Sequence, residues 1–525
     1  MSAPRPRPPG PILWRSSLKN TIYDVLKGRE GWQETESETE WDFFWADKGW
    51  IHNELDKVHL AEWQRVNHFP NHYELTRKDL LLKNLKRAKR QLEREQGRGD
   101  EAAGYGFFPQ TFVVPAEYRM LAEEFKRGGG GAWIMKPIGR AQGQGIFLFN
   151  RLAQARAGAL PGAHSALAPI SRGSARTRIS EWRRDHTWKP DDEEQAETYL
   201  AQRYLDTPYL VGGKKFDLRI YALVTSYSPL RIYLYRRARA RPLLSRRQAG
   251  GGRGAGPGPR RAGALSAGAS GFARFTNARF SMRKEDIGNT FVHLTNVAIQ
   301  KHAPGFDKAK GMKWPIRSLR AYMLSRHGPD ATHALFGSIQ GLIVRTLLAV
   351  QPAMINDRHC FELYGYDILV DAGLKPWLLE VNASPSLSAS DRDDWTLKYG
   401  MLNDMLDIVD LEGRREPGKV PTKQGGFDLI WDGAAVPGFD RPTSLPTMLG
   451  CYNPRDATQL RRPLAVVAAE DAAARGEGGG GGGARERAAA GAARRQLSGS
   501  SSGSSSGGGG GTPRVGGGLN IPTAV

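Results

Sequence analysis

The chain is almost without cysteine. Cys360 and Cys451 are the only two in 525 residues, far apart and outside any metal-ligand spacing. That excludes a disulfide framework and a thiolate zinc site, and it fits a reducing cytoplasmic compartment. Long hydrophobic runs are also missing. None approaches the roughly 20 residues that a spanning helix needs, and the Pro/Arg-rich start MSAPRPRPPG has no apolar signal core. No membrane partner is expected. Acids are scarce as well, 54 against 75 Lys and Arg, which leaves a net charge of +21 and points to a polyanionic partner. Nine arginines lie between Arg236 and Arg261 with no acid among them, so the rest of the chain keeps 21 − 9, or +12. Part of that remainder is RKDLLLKNLKRAKRQLER, starting at Arg77, which reads as a basic amphipathic helix with a solvated charged face. Its basic residues are not interleaved with aromatics, so no nucleic-acid partner is expected.

What is present suffices for large cores: 40% hydrophobic residues and 13 Trp allow two or three domains. Residues 1–20 read as disordered. Residues 21–130 form an N-terminal lobe, with aromatic core candidates in WDFFWADKGWI. Strand-rich segments occupy 131–235 and 271–415, separated by an Arg/Gly/Pro insertion at 236–270. Within them, WIMKP and GIFLF flank a glycine turn, and KKFDLRIYALVTSYSPLRIYLYR reads as two strands about Ser228 and Pro229. Helices predominate from 311 to 350, and LKYGMLNDMLDIVDL reads as an amphipathic helix. Residues 416–450 form an extended segment in which GGFDLIW packs back. Residues 451–525 are a Gly/Ser/Ala tail that cannot bury a core.

Two segments carry chemistry. FELYGYDILV and PWLLEVN flank the turn-forming stretch Asp371 to Lys375 and read as a β-hairpin with Asp367 across from Glu380. Asn382, two residues on, shares their face. Opposed carboxylates repel unless a cation lies between them, and a hard oxygen-seeking ion such as Mg²⁺ fits, with nucleotide phosphates completing its shell. An edge hairpin with three solvated polar residues is the competing reading. The second segment places Lys136 before a loop carrying Gly139, Gly143 and Gly145, where backbone N–H groups and an ammonium can meet a phosphate. This is not the GxxxxGK[ST] pattern of a P-loop. A glycine loop between two strands with an acidic hairpin far downstream is the layout of an ATP-grasp enzyme.

NHYELTRK, WIMKP, QGQGIFL, AQRYL, GGKKFDLRIY, VHLTNVAIQK, FELYGYDILVD and KPWLLEVNASPSL occur in the order seen in the tubulin tyrosine ligase-like enzymes. Over residues 40 to 435 the chain resembles that family, most of all its polyglutamylase branch. The resemblance implies an α+β ATP-grasp fold with an N-terminal tubulin-ligase lobe. It places Lys136, Gln142, Gly143, Gln144, Gly145, Gln202, Arg203, Tyr204, Leu205, Lys215, Asp217, Thr295 and Asn296 around ATP. It makes Asp367, Glu380 and Asn382 the Mg²⁺ ligands, and sets Arg274 and Lys313 against free L-glutamate. Lys136, Lys215, Arg274 and Lys313 become the catalytic set. The implied reaction phosphorylates a glutamate γ-carboxylate in a tubulin C-terminal tail, and the amine of free glutamate then displaces the phosphate. The family also implies microtubules, accessory subunits of a ciliary complex, and a place in the axoneme or basal body of a cilium or flagellum. The chain departs from the family at Gln144, where Lys or Arg is usual, and in the Arg-rich insertion just before Arg274. A glycylase, a tyrosine ligase and a non-catalytic microtubule-binding subunit are the alternatives.

Overall fold

Strict alternation organises the longest strand, Lys214–Tyr227. Phe216, Leu218, Ile220, Ala222 and Val224 face the main core, while Tyr221 and Leu223 face a second core on the opposite side. One edge of this strand takes Glu362–Val370 along Leu218 to Val224. The other edge takes Gly271–Phe275 against its start and Leu230–Tyr235 against its end. Among the described residues the resulting antiparallel sheet has ten strands, including Pro376–Ala383, Lys313–Pro315 and Phe427–Asp432. GGFDLIW, expected as an extended piece, pairs with Leu230–Tyr235.

This computed structural model describes residues 7, 9–128, 131–140, 142–152, 198–236, 271–306, 312–383, 385–389, 392–416, 418–436 and 449. The expectations for 237–270 and 451–525 lie outside the described residues. The fold is α+β. Helix Ile316–Val350 covers the main core with Leu319, Met323, Phe336 and Ile343. It is broken at Gly328, whose φ of +73° suits glycine, and Pro329 restarts it where no N–H is needed. The stretch Ile316–Ala353 has the length and apolarity of a membrane span, but most of it is buried inside the protein. Helix Arg392–Val409 covers the opposite face with Leu397, Met401, Leu402 and Met405.

A separate four-stranded sheet joins Thr111–Val114, Tyr199–Arg203, Trp133–Pro137 and Phe147–Phe149. The strand, glycine turn and strand expected around Lys136 are therefore an antiparallel pair. The basic helix spans Lys78–Arg94; Leu81, Leu82 and Leu85 are buried, while Lys83, Arg87, Lys89 and Arg90 are exposed.

Two boundaries need correction. Residues 1–20 were expected to be disordered, yet Ile12–Ser16 is a strand paired in parallel with Trp32–Glu34 and Phe43–Trp45. Ile12 and Trp14 point into the second core and Trp14 is 1% exposed, buried in a core built from residues far along the chain. Asn20 then caps helix Thr21–Gly28 by accepting from the Ile22 amide. Arg236, assigned to the insertion by composition, is buried and ion-paired with Asp428. The fold keeps it because a buried guanidinium needs a counter-charge, and that strand supplies one.

Replacing Trp14 with Ala should lower stability by about 3–5 kcal/mol in urea unfolding. Wild-type stability in that variant would show that the N-terminal strand is dispensable.

Candidate nucleotide and metal site

The hairpin of Glu362–Val370 and Pro376–Ala383 closes through a 3.0 Å bond from the Asp371 amide to the Lys375 carbonyl. Asp367 stands opposite Glu380, and Gly365 opposite Asn382. The route to that register is irregular. Below Asp367 the pairs are Ile368 with Leu378 and Leu369 with Trp377, so Leu379 is an extra residue, a bulge. Continuing the turn-proximal register would set Leu379 against Asp367 and turn Glu380 toward the core. With the bulge, Leu378, Val381 and Ala383 are buried in the core and Glu380 lines the cleft.

Cross-strand registers assemble a charged lattice beside this pair. Lys313 stands opposite Arg274, Arg274 opposite Asp217, and Arg219 opposite Asp367. Arg274 bonds both oxygens of Asp217, with Nε to Oδ1 at 2.8 Å, and reaches Asp367 Oδ2 at 2.9 Å. Arg219 forks onto Asp367 at 2.5 and 3.0 Å. Burial favours the neutral acid, but the two guanidiniums outweigh it and hold the Asp367 carboxyl well below the usual range. Burial likewise opposes the charge on Arg274, and Asp217 and Asp367 keep it protonated.

The lysines have a different setting. Lys136 Nζ donates to Gln202 Oε1 at 2.7 Å, and Gln202 Nε2 donates to Thr111 Oγ1 at 2.9 Å. Burial pulls the Lys136 pKa down to about 8, partly opposed by Glu380. Lys215 donates to Tyr204 OH and to the His293 carbonyl, each at 2.9 Å. Burial lowers it to about 7, against the pull of Asp217. His293, lowered to about 4 by burial and then by Lys215, is neutral. Its Nε2 faces the Asp286 carbonyl at 3.0 Å, which assigns the proton there, so Nδ1 accepts from Tyr204 OH at 2.9 Å. Two buried ammonium groups with only neutral acceptors in hydrogen-bond contact are poised for an anion.

One cleft, about 810 Å³, brings most of the expected residues together: Lys136, Gln142, Gly143, Gln202, Arg203, Tyr204, Leu205, Lys215, Asp217, Thr295, Asn296, Asp367 and Glu380. Ile134, Ile146, Leu294, Leu369 and Leu379 add an apolar wall. Gln142, Gly143 and Gly145 have φ of +60°, +82° and +70°, so the loop backbone turns sharply, and a Cβ at Gly143 would sit 2.5 Å from Ile299. Gln144 is exposed, and neither it nor Gly145 lines the cleft. Arg274 lies behind the lining with its charge on Asp217 and Asp367. Lys313 belongs to an adjoining cluster in which its ammonium and that of Lys398 reach Asp394 Oδ2 at 3.0 and 3.1 Å.

Asn382 is not part of the cleft lining, and its Nδ2 contacts the Gly365 carbonyl at 3.3 Å; the donor types, its amide oxygen with the Asp367 and Glu380 carboxylates, suit a hard divalent cation. Among the described residues no group of three or more His, Cys, Asp or Glu is placed to hold a metal ion.

Sequence reading missed Lys78, Arg140, His293 and Lys398. Lys78 was assigned to a solvated helix face, but it lines the cleft, 3.5 Å from Glu380 Oε2. The available signal was a cation in the first helical turn, where it opposes the helix dipole. His293 carried no such signal; its role comes from the contact with Tyr204.

The chain matches the tubulin-tyrosine ligase family over residues 56–242 and 269–417. It is 43% identical to the probable tubulin polyglutamylase TTLL9 of Rattus norvegicus over 462 residues, covering 86% of this chain and 92% of the relative. The probable tubulin polyglutamylase ttll-9 of Caenorhabditis elegans is 39% identical over 420 residues, 80% and 84% of the two chains. The probable alpha-tubulin polyglutamylase Ttll1 of Tetrahymena thermophila is 38% identical over 412 residues, 75% and 86%. With the matched segments spanning both the lysine cleft and the acidic hairpin, this chain belongs to the tubulin-tyrosine ligase family.

Proposed function

We propose that the chain is an ATP-dependent tubulin polyglutamylase that joins free L-glutamate to the γ-carboxylate of glutamates in tubulin C-terminal tails. The observation that carries this reading is the opposed Asp367 and Glu380 pair in one cleft with two buried lysines. The names of the relatives support glutamate over glycine or tyrosine.

Asp367, Glu380 and Asn382 would hold Mg²⁺, which when bound neutralises phosphate charge. Lys136 and Lys215 would face the ATP phosphates, and the apolar wall would take the adenine. A γ-carboxylate oxygen of the tail bonds to the terminal phosphorus as the bridging P–O bond breaks, releasing ADP. The glutamate amine then bonds to the acyl carbon, phosphate departs with the C–O electron pair, and the nitrogen loses a proton. No enzyme nucleophile is required, so the chain's contribution is positioning and charge. Arg274 and Lys313 would steer the free glutamate carboxylates by their positive charge while Asp217, Asp367 and Asp394 hold them in place. The basic surface would concentrate acidic tails electrostatically. By family resemblance the reading extends to microtubules, accessory subunits, and the axoneme and basal body of a cilium or flagellum.

Incubation with microtubules, ATP, Mg²⁺ and labelled glutamate, glycine or tyrosine should show incorporation of glutamate alone. Incorporation of glycine or tyrosine instead would transfer the chain to another ligase class, and none of the three, with ciliary extract added, would leave a non-catalytic subunit. Glu380→Gln should fold normally and cut turnover by about 100-fold or more; retained turnover would remove Glu380 from the metal site. Nucleotide binding should also take up protons. With Lys215 near 7 and Lys136 near 8, both are partly neutral at pH 8, and triphosphate raises each pKa. Calorimetry in buffers of different ionisation enthalpy should register net uptake at pH 8 that fades below pH 6. Equal heats in all buffers at pH 8 would place the phosphates away from these lysines.

A further inference from the structure

A second pocket lies at the far end of the central strand and of helix Arg392–Val409. Thr225 lines it, eight residues along the strand from Asp217, or about 26 Å at strand rise. Val409 lines it too, fifteen residues along the helix from Asp394, or about 22 Å at helical rise. Both rulers separate it from the nucleotide cleft by more than a phosphate or amino acid can bridge.

Its walls are cationic. Arg65, Arg231, Arg358, Arg415 and Lys419 line it, against the acids Asp410 and Glu416. Four of these five cations have carboxylate partners: Arg231 with Asp432, Arg358 with Glu62, Arg415 with Asp410 and Lys419 with Glu416. Arg65 does not. Its Nη1 donates to the carbonyls of Glu62 and Gln64 at 2.7 and 2.8 Å, and its Nε and Nη2 have no protein partner among the described residues. Burial lowers its pKa and Arg358 nearby lowers it further, partly opposed by Asp357 and Cys360. A half-buried guanidinium next to a like charge, with its Nε and Nη2 fork free, matches the bidentate geometry of a carboxylate. The hydroxyl of Thr225 is buried in the same wall without a hydrogen-bond partner among the described residues. Neither group is explained by packing, since both would be better satisfied by a bound acceptor.

We infer that this pocket docks a carboxylate-rich peptide segment, with the free fork of Arg65 taking one carboxylate and Arg358 and Lys419 meeting its neighbours. Cations spread over a pocket this wide suit several carboxylates along a chain better than one compact phosphate. The inference deepens the proposed function, because it gives the acidic substrate a second hold remote from the reacting glutamate. A segment of about eight extended residues covers the separation at strand rise.

The test is fluorescence anisotropy of labelled decaglutamate on the full chain at low salt, without nucleotide or metal. Arg65→Gln should weaken binding about 10-fold, the loss of one charge-assisted fork. The double variant R358E/K419E changes two exposed side chains that are not needed for packing, and should weaken binding at least as much with an unchanged melting temperature. ATP affinity should not move in either. Decaglutamate binding that survives in both variants overturns the inference. So does a result in which binding of inorganic phosphate or anionic vesicles falls while decaglutamate binding is unchanged. The two readings fail separately. A chain that ligates nothing but loses decaglutamate binding through Arg65→Gln sinks the ligase reading and leaves this site standing. An active ligase with unaltered decaglutamate binding in the variants does the reverse.

Discussion

Four buried charges on one sheet face constrain the rest of this molecule. Asp217, Arg274 and Asp367 are each under 10% exposed, and Arg219 is largely enclosed. Removing one partner from such a set costs about 3–5 kcal/mol because it strands a charge in low dielectric. The set is satisfied only if Gly271–Phe275, Lys214–Tyr227 and Glu362–Val370 hold their present registers. A slip of one residue would bring Leu218 or Ile368 onto this face and bury carboxylates among aliphatic side chains. The lattice that prepares the site therefore also specifies the sheet.

The same lattice sets the electrostatics of the cleft. Guanidiniums compensate the carboxylates on the sheet, whereas Lys215, two residues before Asp217 on the central strand, and Lys136, on the separate four-stranded sheet, have only neutral groups in hydrogen-bond contact among the described residues. Negative charge is thus already balanced by guanidiniums, and the two ammonium groups are under-compensated. On the proposed function, a polyphosphate would bring its own charge to the lysines and share a cation with the carboxylates. Lys78 stands between them, close to Glu380, as a third ammonium that the basic helix contributes.

Much of this was legible because local patterning and the site's chemistry coincide. The alternation in KKFDLRIYALVTSY, the carboxylates of the downstream hairpin and the glycine loop after Lys136 each carry a local signal, and the cleft unites them. What escaped were features whose reasons lie elsewhere in the chain. Ile12–Ser16 was lost to a Pro/Arg-rich neighbourhood, since its burial depends on a core built from residues far along the chain. Arg236 was counted by composition with a run of arginines, yet Asp428 makes it structural. Arg274 was read as a free cation for a substrate, but two acids already hold it. His293 and Lys398 act through contacts with residues 89 and 4 positions away, and only the first of these separations defeats a local reading; Lys398 sits one helical turn from Asp394.

By itself the sequence determined which residues could carry charge, which could turn and which had to be buried, because composition and short-range periodicity are local properties of the chain. It also determined the family, through motifs whose order and identity need no coordinates. Only the tertiary structure decided that Glu380 meets Asp367. The turn-proximal register presents Leu379 there, and the bulge that corrects it is held by burial of Leu378 on one side of the irregularity and Val381 on the other. That choice balances packing on the core face against charge on the cleft face, and both terms exist only once the sheet has formed.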